Sequence, residues 1–187
     1  MKITVFGGSS PKPGDPAYEQ AYQLGKLIGD AGFTVLTGGY IGTMEAVSRG
    51  AYESGGHVIG VTCEQIEEWR PVSPNRWVQE EKRFPTLRDR LYALIDNCDA
   101  ALVLPGGIGT LAELAVMWSQ LQTMSITARP LVLIGTGWQA VYEELINQFE
   151  DYIPLEHRRY IRFVPNVESA FQLLVEESYP GFSPIHR

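Results

Sequence analysis

The stretch LVLPGGIGTLAELAVMW, Leu102–Trp118, decides how this chain is read. An apolar run stops at Pro105. Gly106, Gly107 and Gly109 follow almost at once, and apolar residues then recur at helical spacing through Leu114, Met117 and Trp118. That is a buried strand, a tight glycine turn and a helix, in that order. The same order recurs along the chain. ITVF precedes PAYEQAYQLGKLIGDAG, FTVLTGG precedes IGTMEAVSRGAYESGG, and HVIGVT leads on to FPTLRDRLYALIDNC. After AALVLPGG come PLVLIGTG, WQAVYEELINQFEDYI, IRFVPN and VESAFQLLVEES. The strand runs are continuously apolar rather than alternating, so both sheet faces are covered by helices. Alternating strands and helices of this kind predict a doubly wound, mainly parallel α/β sheet flanked by helices, Rossmann-like, with residues 1–187 forming one domain.

The stretch Cys63–Pro85, containing Trp69, Pro71, Pro74, Asn75 and Trp77, is the one long irregular insert in this pattern. It reads as a lid, as part of an oligomer contact, or as a packed surface loop. The terminal YPGFSPIHR reads as a loosely ordered tail.

Composition narrows the functional classes. The chain carries 15 Lys and Arg against 22 Asp and Glu, a formal charge of −7. Clustered basic residues, the footprint of nucleic-acid binding, are absent. No stretch is long and apolar enough for a membrane span, and the N-terminal MKITVFGGSS is too short for a signal peptide, so a cytoplasmic location is expected. Cys63 and Cys98 do not form a CxxC pair, and His57, His157 and His186 are scattered, which gives no metal-ligand spacing.

Glycines gather where strands end: Gly7, Gly8 and Ser9 in FGGSS; Thr37, Gly38, Gly39 and Gly42 in TGGYIGT; Gly106, Gly107, Gly109 and Thr110 in PGGIGT. In a parallel sheet these turns share the carboxyl edge, where open α/β sheets bind their ligands. Glycine lets backbone N–H groups approach an anion, and the following helix adds unpaired donors and a positive dipole end. Three such turns on one edge form a candidate phosphate cradle. Each taken alone would equally be a plain strand-to-helix turn. No GK[ST] completes a Walker A loop, and no GxGxxG follows the first strand, which argues against a nicotinamide-dependent enzyme.

Glu113 has two readings. T-x-x-E from Thr110 to Glu113 fits a capping box, with Glu113 in the first helical turn reaching back to the cap. The other reading uses the same first-turn position, where the helix dipole favours the ionised carboxylate, to place an anion or base beside the cradle. Arg90, in TLRDRLYALI, falls at the edge of a stripe formed by Leu87, Leu91, Leu94 and Ile95. It either snorkels and pairs with a carboxylate such as Asp89 or Asp96, or points into the crevice toward Glu113. Arg88, on the other side of the stripe, is the weaker candidate. Tyr40, Met44, Met117 and Trp118 would line an apolar pocket for a base, or belong to the core.

PGGIGTLAE, Pro105–Glu113, matches the PGGxGTxxE motif of the LOG (LONELY GUY) family, whose members were long mislabelled lysine decarboxylases. VFGGSS, TGGYIGTMEAVSRGA and GGHVIGV resemble its other segments, in the same order. The resemblance implies a Rossmann-like dimer that cleaves the N-glycosidic bond of nucleoside 5′-monophosphates, AMP and cytokinin ribotides among them, to free base and ribose 5-phosphate. It implies no metal or redox cofactor, and it places the catalytic pair on Arg90 and Glu113. Leu91 follows Arg90 where the family commonly has lysine, Tyr40 stands where a third glycine is common, and Thr62 where a proline often follows. These departures suggest a divergent branch near the molybdenum-cofactor carrier-like proteins. The alternative expectation is therefore a carrier of a nucleotide or a phosphorylated cofactor. The apolar LAVMWSQLQTM would suit a helix shared between the sheet and a second subunit, a homodimer.

Overall fold

The computed structural model describes residues 1–178; the tail Tyr179–Arg187, with His186, lies outside the described residues. Its strands are β1 (Lys2–Phe6), β2 (Thr34–Thr37), β3 (His57–Cys63), β4 (Glu80–Phe84), β5 (Ala100–Val103), β6 (Leu131–Ile134) and β7 (Ile161–Val164). They form one sheet in the order β4-β3-β2-β1-β5-β6-β7, and every pair is parallel. Its helices are α1 (Pro16–Asp30), α2 (Thr43–Glu53), α3 (Glu64–Trp69), α4 (Leu87–Asp96), α5 (Ile108–Gln122), α6 (Thr136–Gln148), α7 (Leu155–Arg158) and α8 (Val167–Ser178).

Strand residues feed two separate cores in alternation. Ile3, Val5, Val35, Val58, Ala100, Leu102, Val132 and Ile134 pack with α1, α2 and α8. Phe6, Leu36, Ile59, Val61, Ala101, Val103, Leu131 and Leu133 pack with α4 and α5. Strands buried on both faces carry no charged alternate, which is why they read as mainly apolar runs, broken by buried threonines at Thr4, Thr37 and Thr62.

The chain lays β1 to β4 outward in one direction and returns to place β5 on the other side of β1. α1 leaves β1 over one face and α5 leaves β5 over the other. The two connections diverge and open a crevice at the carboxyl ends of β1 and β5. The register sets Phe6 opposite Val103, so FGGSS and PGGIGT emerge side by side.

The insert is not irregular throughout. It holds α3 and the edge strand β4, EEKRF, whose pairing runs from Ile59–Glu80 to Cys63–Phe84. β4 has only one covered side, and its charged residues carry none of the apolar signal by which the other strands are recognised.

Candidate active site

The three glycine turns are laced to one another. Gly8 N donates to Pro105 O at 3.1 Å, joining the first turn to the third. Thr43 donates to Gly8 O through its backbone N (2.9 Å) and through Oγ1 (3.0 Å), joining the first turn to the second. Gly42 has a φ of +74°, and a Cβ there would lie 2.5 Å from Gly8 O and from Ser9 Cα, so no side chain is compatible with this crossing. A Cβ on Gly106 would meet Thr110 Oγ1 at 2.1 Å and Gly8 N at 2.9 Å. Gly7 lies against Thr43 in the same manner.

The residues expected to cradle phosphate therefore divide. Thr37 is buried, its Oγ1 accepting from Gly39 N at 3.0 Å and lying 3.3 Å from Ser48 Oγ, which makes it part of the turn's framework. Gly7 and Gly42 serve the packing between turns, and Gly39 lets the second turn lie against Gly60 and Thr62 of β3. Gly106, Gly107 and Gly109 lie on the exposed tip that begins α5, with open space where a side chain on Gly107 or Gly109 would be. The first N–H groups of α5, those of Ile108, Gly109 and Thr110, have no carbonyl behind them in the helix. Thr43 N, by contrast, at the start of α2, is already used by Gly8. The N–H groups left open are thus those of the α5 N-terminus, in the turn that Gly8 joins through Pro105.

Glu113 is not a helix-capping residue. α5 begins at Ile108 with Gly107 as its N-cap and no side-chain cap, which puts Thr110 inside the helix and Glu113 in the second turn. The capping-box spacing is an accident of sequence. Glu113 is 9% exposed, and its Oε1 accepts from Arg90 Nη1 at 3.3 Å. Burial pushes its carboxyl up to about 7, against the opposing pull of the Arg90 charge. Burial thus opposes the ionisation that the first-turn reading expects, and Arg90 favours it.

Arg90 is delivered by α4, which Thr86 caps through a bond from Asp89 N to its Oγ1 (3.1 Å). The helix buries Arg90, Ala93, Leu94 and Ile95, while Leu87 is exposed, so the stripe is rotated from the expected one and Arg90 lies within it. Arg90 Nε donates to Val61 O at 2.9 Å, Nη1 to Glu113, and Nη2 lies 4.0 Å from Met44 Sδ. A Cβ on Gly38 would fall 1.8 Å from Nη2, so Gly38 is the seat of this guanidinium. Arg90 pairs with neither Asp89 nor Asp96, and Arg88 is exposed.

Of the four candidate base-pocket residues, Met44 is at the site. Met117 is fully buried in the core, and Trp118 donates from Nε1 to His157 O at 2.9 Å, away from the crevice. The Tyr40 hydroxyl accepts from Cys63 N at 2.7 Å and lies 3.1 Å from both Cys63 O and Glu67 Oε1. Burial pushes it up to about 12, so it stays a neutral tie between the second turn and α3. Asn75 completes that tie, its Nδ2 donating at 3.0 Å to Gly39 O and Tyr40 O. Among the described residues no group of three or more His, Cys, Asp or Glu side chains is placed to hold a metal ion, and no helix is long and apolar enough to cross a membrane.

A protein-family model described as "Possible lysine decarboxylase" matches residues 44–174. The cytokinin riboside 5′-monophosphate phosphoribohydrolase LOG7 of Arabidopsis thaliana is 31% identical over 192 aligned positions, covering 98% of this chain and 85% of that protein. LOGL5 of Oryza sativa, described as a probable enzyme of the same activity, is 33% identical over 148 positions, covering 78% of this chain and 57% of its own length; the chain spans little more than half of that relative. Among solved structures, the Moco carrier protein of Chlamydomonas reinhardtii has a TM-score of 0.67 at 25% identity, covering 94% of this chain and 95% of that one.

Proposed function

The chain belongs to the LOG family, and from that membership and its buried Arg90–Glu113 pair we propose that it hydrolyses the N-glycosidic bond of a nucleoside 5′-monophosphate, AMP or a cytokinin ribotide, releasing free base and ribose 5-phosphate. The observation that carries this reading is Glu113 itself. It is buried, it caps nothing, and its one charged partner among the described residues is an arginine on another helix that is itself anchored to β3 at Val61. A fold gains little from burying such a pair, since the desolvation penalty of the two ions offsets their attraction. Positioned chemistry accounts for it.

Cleaving a ribosyl–base bond passes through an oxocarbenium-like sugar, which needs a nearby anion and a directed water. Glu113, ionised, would stabilise the developing positive charge and take the proton of the attacking water; a carboxyl that titrates near neutrality suits the second role. Arg90 would hold that carboxylate in place through Nη1, with Nη2 turned toward the second glycine turn. The 5′-phosphate would lie at the α5 N-terminus, beside Gly8, Ser9, Gly106, Gly107, Gly109 and Thr110.

A second reading, a carrier of a phosphorylated cofactor without turnover, is favoured by the likeness to the Moco carrier protein. Chromatographic detection of free base separates the two. The native chain and E113Q are each incubated with AMP, N6-isopentenyl-AMP, GMP and CMP. Base release by the native chain that E113Q lacks supports hydrolysis; binding without release by either moves the assignment to the carrier.

We propose the outer side of α5 and α6 as the contact of the homodimer that the family resemblance implies. Leu111, Val141, Leu145 and Phe149 are exposed there, around Trp118 and Tyr142.

A further inference from the structure

Arg70 is a cation that the interactions above leave unused. It follows α3 on the insert and reaches back to the first glycine turn, where Nη1 lies 3.5 Å from Ser9 Oγ. Its Nε is closed off from solvent and has no hydrogen-bond partner among the described residues. Arg49, Arg83, Arg90 and Arg158 each lie within ion-pair distance of a glutamate; Arg70 has no such carboxylate among the described residues. Its one further partner is the ring of Trp69, 5.5 Å from the guanidinium carbon, which does not neutralise it. Arg129, which is likewise half-buried with no such carboxylate among the described residues, is held instead by the carbonyls of Ile95 and Cys98, whereas no carbonyl among those residues accepts from the Arg70 side chain. Buried donors are rarely left unpaired, and an unpaired one beside a crevice points to a water, an ion or a ligand as its partner.

The location indicates what that partner is. Ser9 lies where the turns meet: Gly42 passes against its backbone, and the adjoining Gly8 is bonded to Pro105 beside Gly106. The open N–H groups of α5 begin three residues after Pro105. Arg70 therefore reaches the first turn one residue from Gly8, which is itself bonded to the turn that leads into α5, while Arg90 is committed to Val61 and Glu113.

We propose that Arg70, with the Ser9 hydroxyl, clamps the phosphate group of the ligand and is the residue that distinguishes a nucleoside 5′-monophosphate from the unphosphorylated nucleoside. A guanidinium offers two parallel donors to a phosphate, a geometry that a lysine does not reproduce. The two arginines thus divide the ligand between them. Arg70 holds the phosphate, and Arg90 holds the carboxylate at the reacting end. The proposal rests on the reading of the ligand as a sugar 5′-phosphate, but not on turnover.

Calorimetric titration with ribose 5-phosphate and with ribose tests it without requiring catalysis. The native chain is compared with R70Q, R70K and R76Q; Arg76 is exposed on the same insert and serves as the control for the general field. Native protein is expected to bind ribose 5-phosphate and to prefer it over ribose. R70Q should weaken that binding by about 10- to 100-fold, R70K by less, and R76Q by under twofold. An R70Q affinity within twofold of native overturns the proposal, as does an equal loss in R76Q. If R70Q does not fold, labelling of native protein by phenylglyoxal decides. Ribose 5-phosphate is expected to shield Arg70, and equal labelling with and without it, none included, overturns the proposal. Binding of ribose 5-phosphate with no base release from any nucleotide would end the hydrolase reading and leave Arg70 standing. No binding of the sugar phosphate by the native chain would end both.

Discussion

The space that a side chain on Gly38 would need is occupied by the guanidinium of Arg90, 1.8 Å from where a Cβ would be built. A glycine that looks like part of a phosphate loop is in fact the seat of the arginine that holds Glu113. G38A should therefore act at a distance from any phosphate. The atoms in its way, Arg90 Nη2 and Met44 Sδ, are ends of flexible side chains. The fold should survive with a loss of about 1–3 kcal/mol. Displacing Arg90 should cost about 100-fold in base release. Urea melts and AMP turnover measured on the same preparation check this; native-like turnover in a folded G38A would show that Arg90 is not needed where it sits.

Glu113 should set the pH dependence of turnover. Burial pushes its carboxyl up to about 7 against the pull of Arg90, and the ionised form is the one proposed to act. The rate constant kcat/KM for AMP should then rise through pH 7 to a plateau. E113Q should lose about 100- to 10,000-fold and its remaining activity should lack that limb. The substrate's own phosphate, which titrates near 6, would leave its mark in both proteins and so is separable. A profile that falls through pH 7 would reverse the assigned role and make Glu113 a proton donor.

The same group ties stability to pH. In the folded chain Glu113 holds its proton up to about 7, whereas in the unfolded chain it releases it near 4.5. Between these values the folded state binds more protons, so its stability falls as pH rises, by on the order of 3 kcal/mol from this group. E113Q lacks the ionisation. The stability of E113Q relative to native should rise by a similar amount between pH 4.5 and 7.5 in urea titrations, and a flat difference would refute the buried, proton-holding carboxyl.

Gly109 and Gly106 should respond in opposite ways to alanine. A Cβ on Gly109 meets nothing within 4 Å, and the position lies at the start of α5, where alanine is the better helix former. G109A should gain about 0.5 kcal/mol in stability, yet its methyl group would intrude on the anion site and weaken ribose 5-phosphate binding. In G106A the new carbon meets Thr110 Oγ1 and the backbone of Gly8, and stability should fall by about 1–3 kcal/mol. Thermal melts and calorimetry separate the two effects. Unchanged ligand affinity in G109A would move the phosphate away from the helix end.

The outer side of α5 and α6 should hold the dimer. Val141 is 54% exposed and Phe149 51%. Light scattering on the native chain should give a mass near twice 20.8 kDa, and V141E should give the single-chain value. A native monomer, or a V141E dimer, would place the contact elsewhere or remove it.

Much of the fold is readable from sequence because burial on two faces leaves a plain mark. Ile3, Val5, Leu102 and Val103 could belong only to a covered strand, and the glycines after Phe6, Thr37 and Pro105 could belong only to turns on one edge. β4 is hidden because an edge strand needs no apolar alternation. Glu113 is misplaced by a full turn because Gly107, which has no side chain to offer, starts α5 three residues before the threonine that resembles a cap. Arg90 is legible as an anomaly in an apolar stripe. Arg70 is not: an arginine in a polar stretch is ordinary until the fold shows that no carboxylate among the described residues reaches it.

β4 also governs what the sheet can become. A free strand edge is a template on which another chain can pair and polymerise, and natural sheets blunt such edges with charge. Here the outermost strand reads Glu80, Glu81, Lys82 and Arg83, with His57 and Arg83 engaging glutamates across its face. A second molecule arriving in parallel register would set like charges opposite one another at every one of these positions. On this side of the sheet, a copy of the same strand added in parallel would thus meet its own charge at each step, and continuation of the sheet beyond β4 in that sense is opposed.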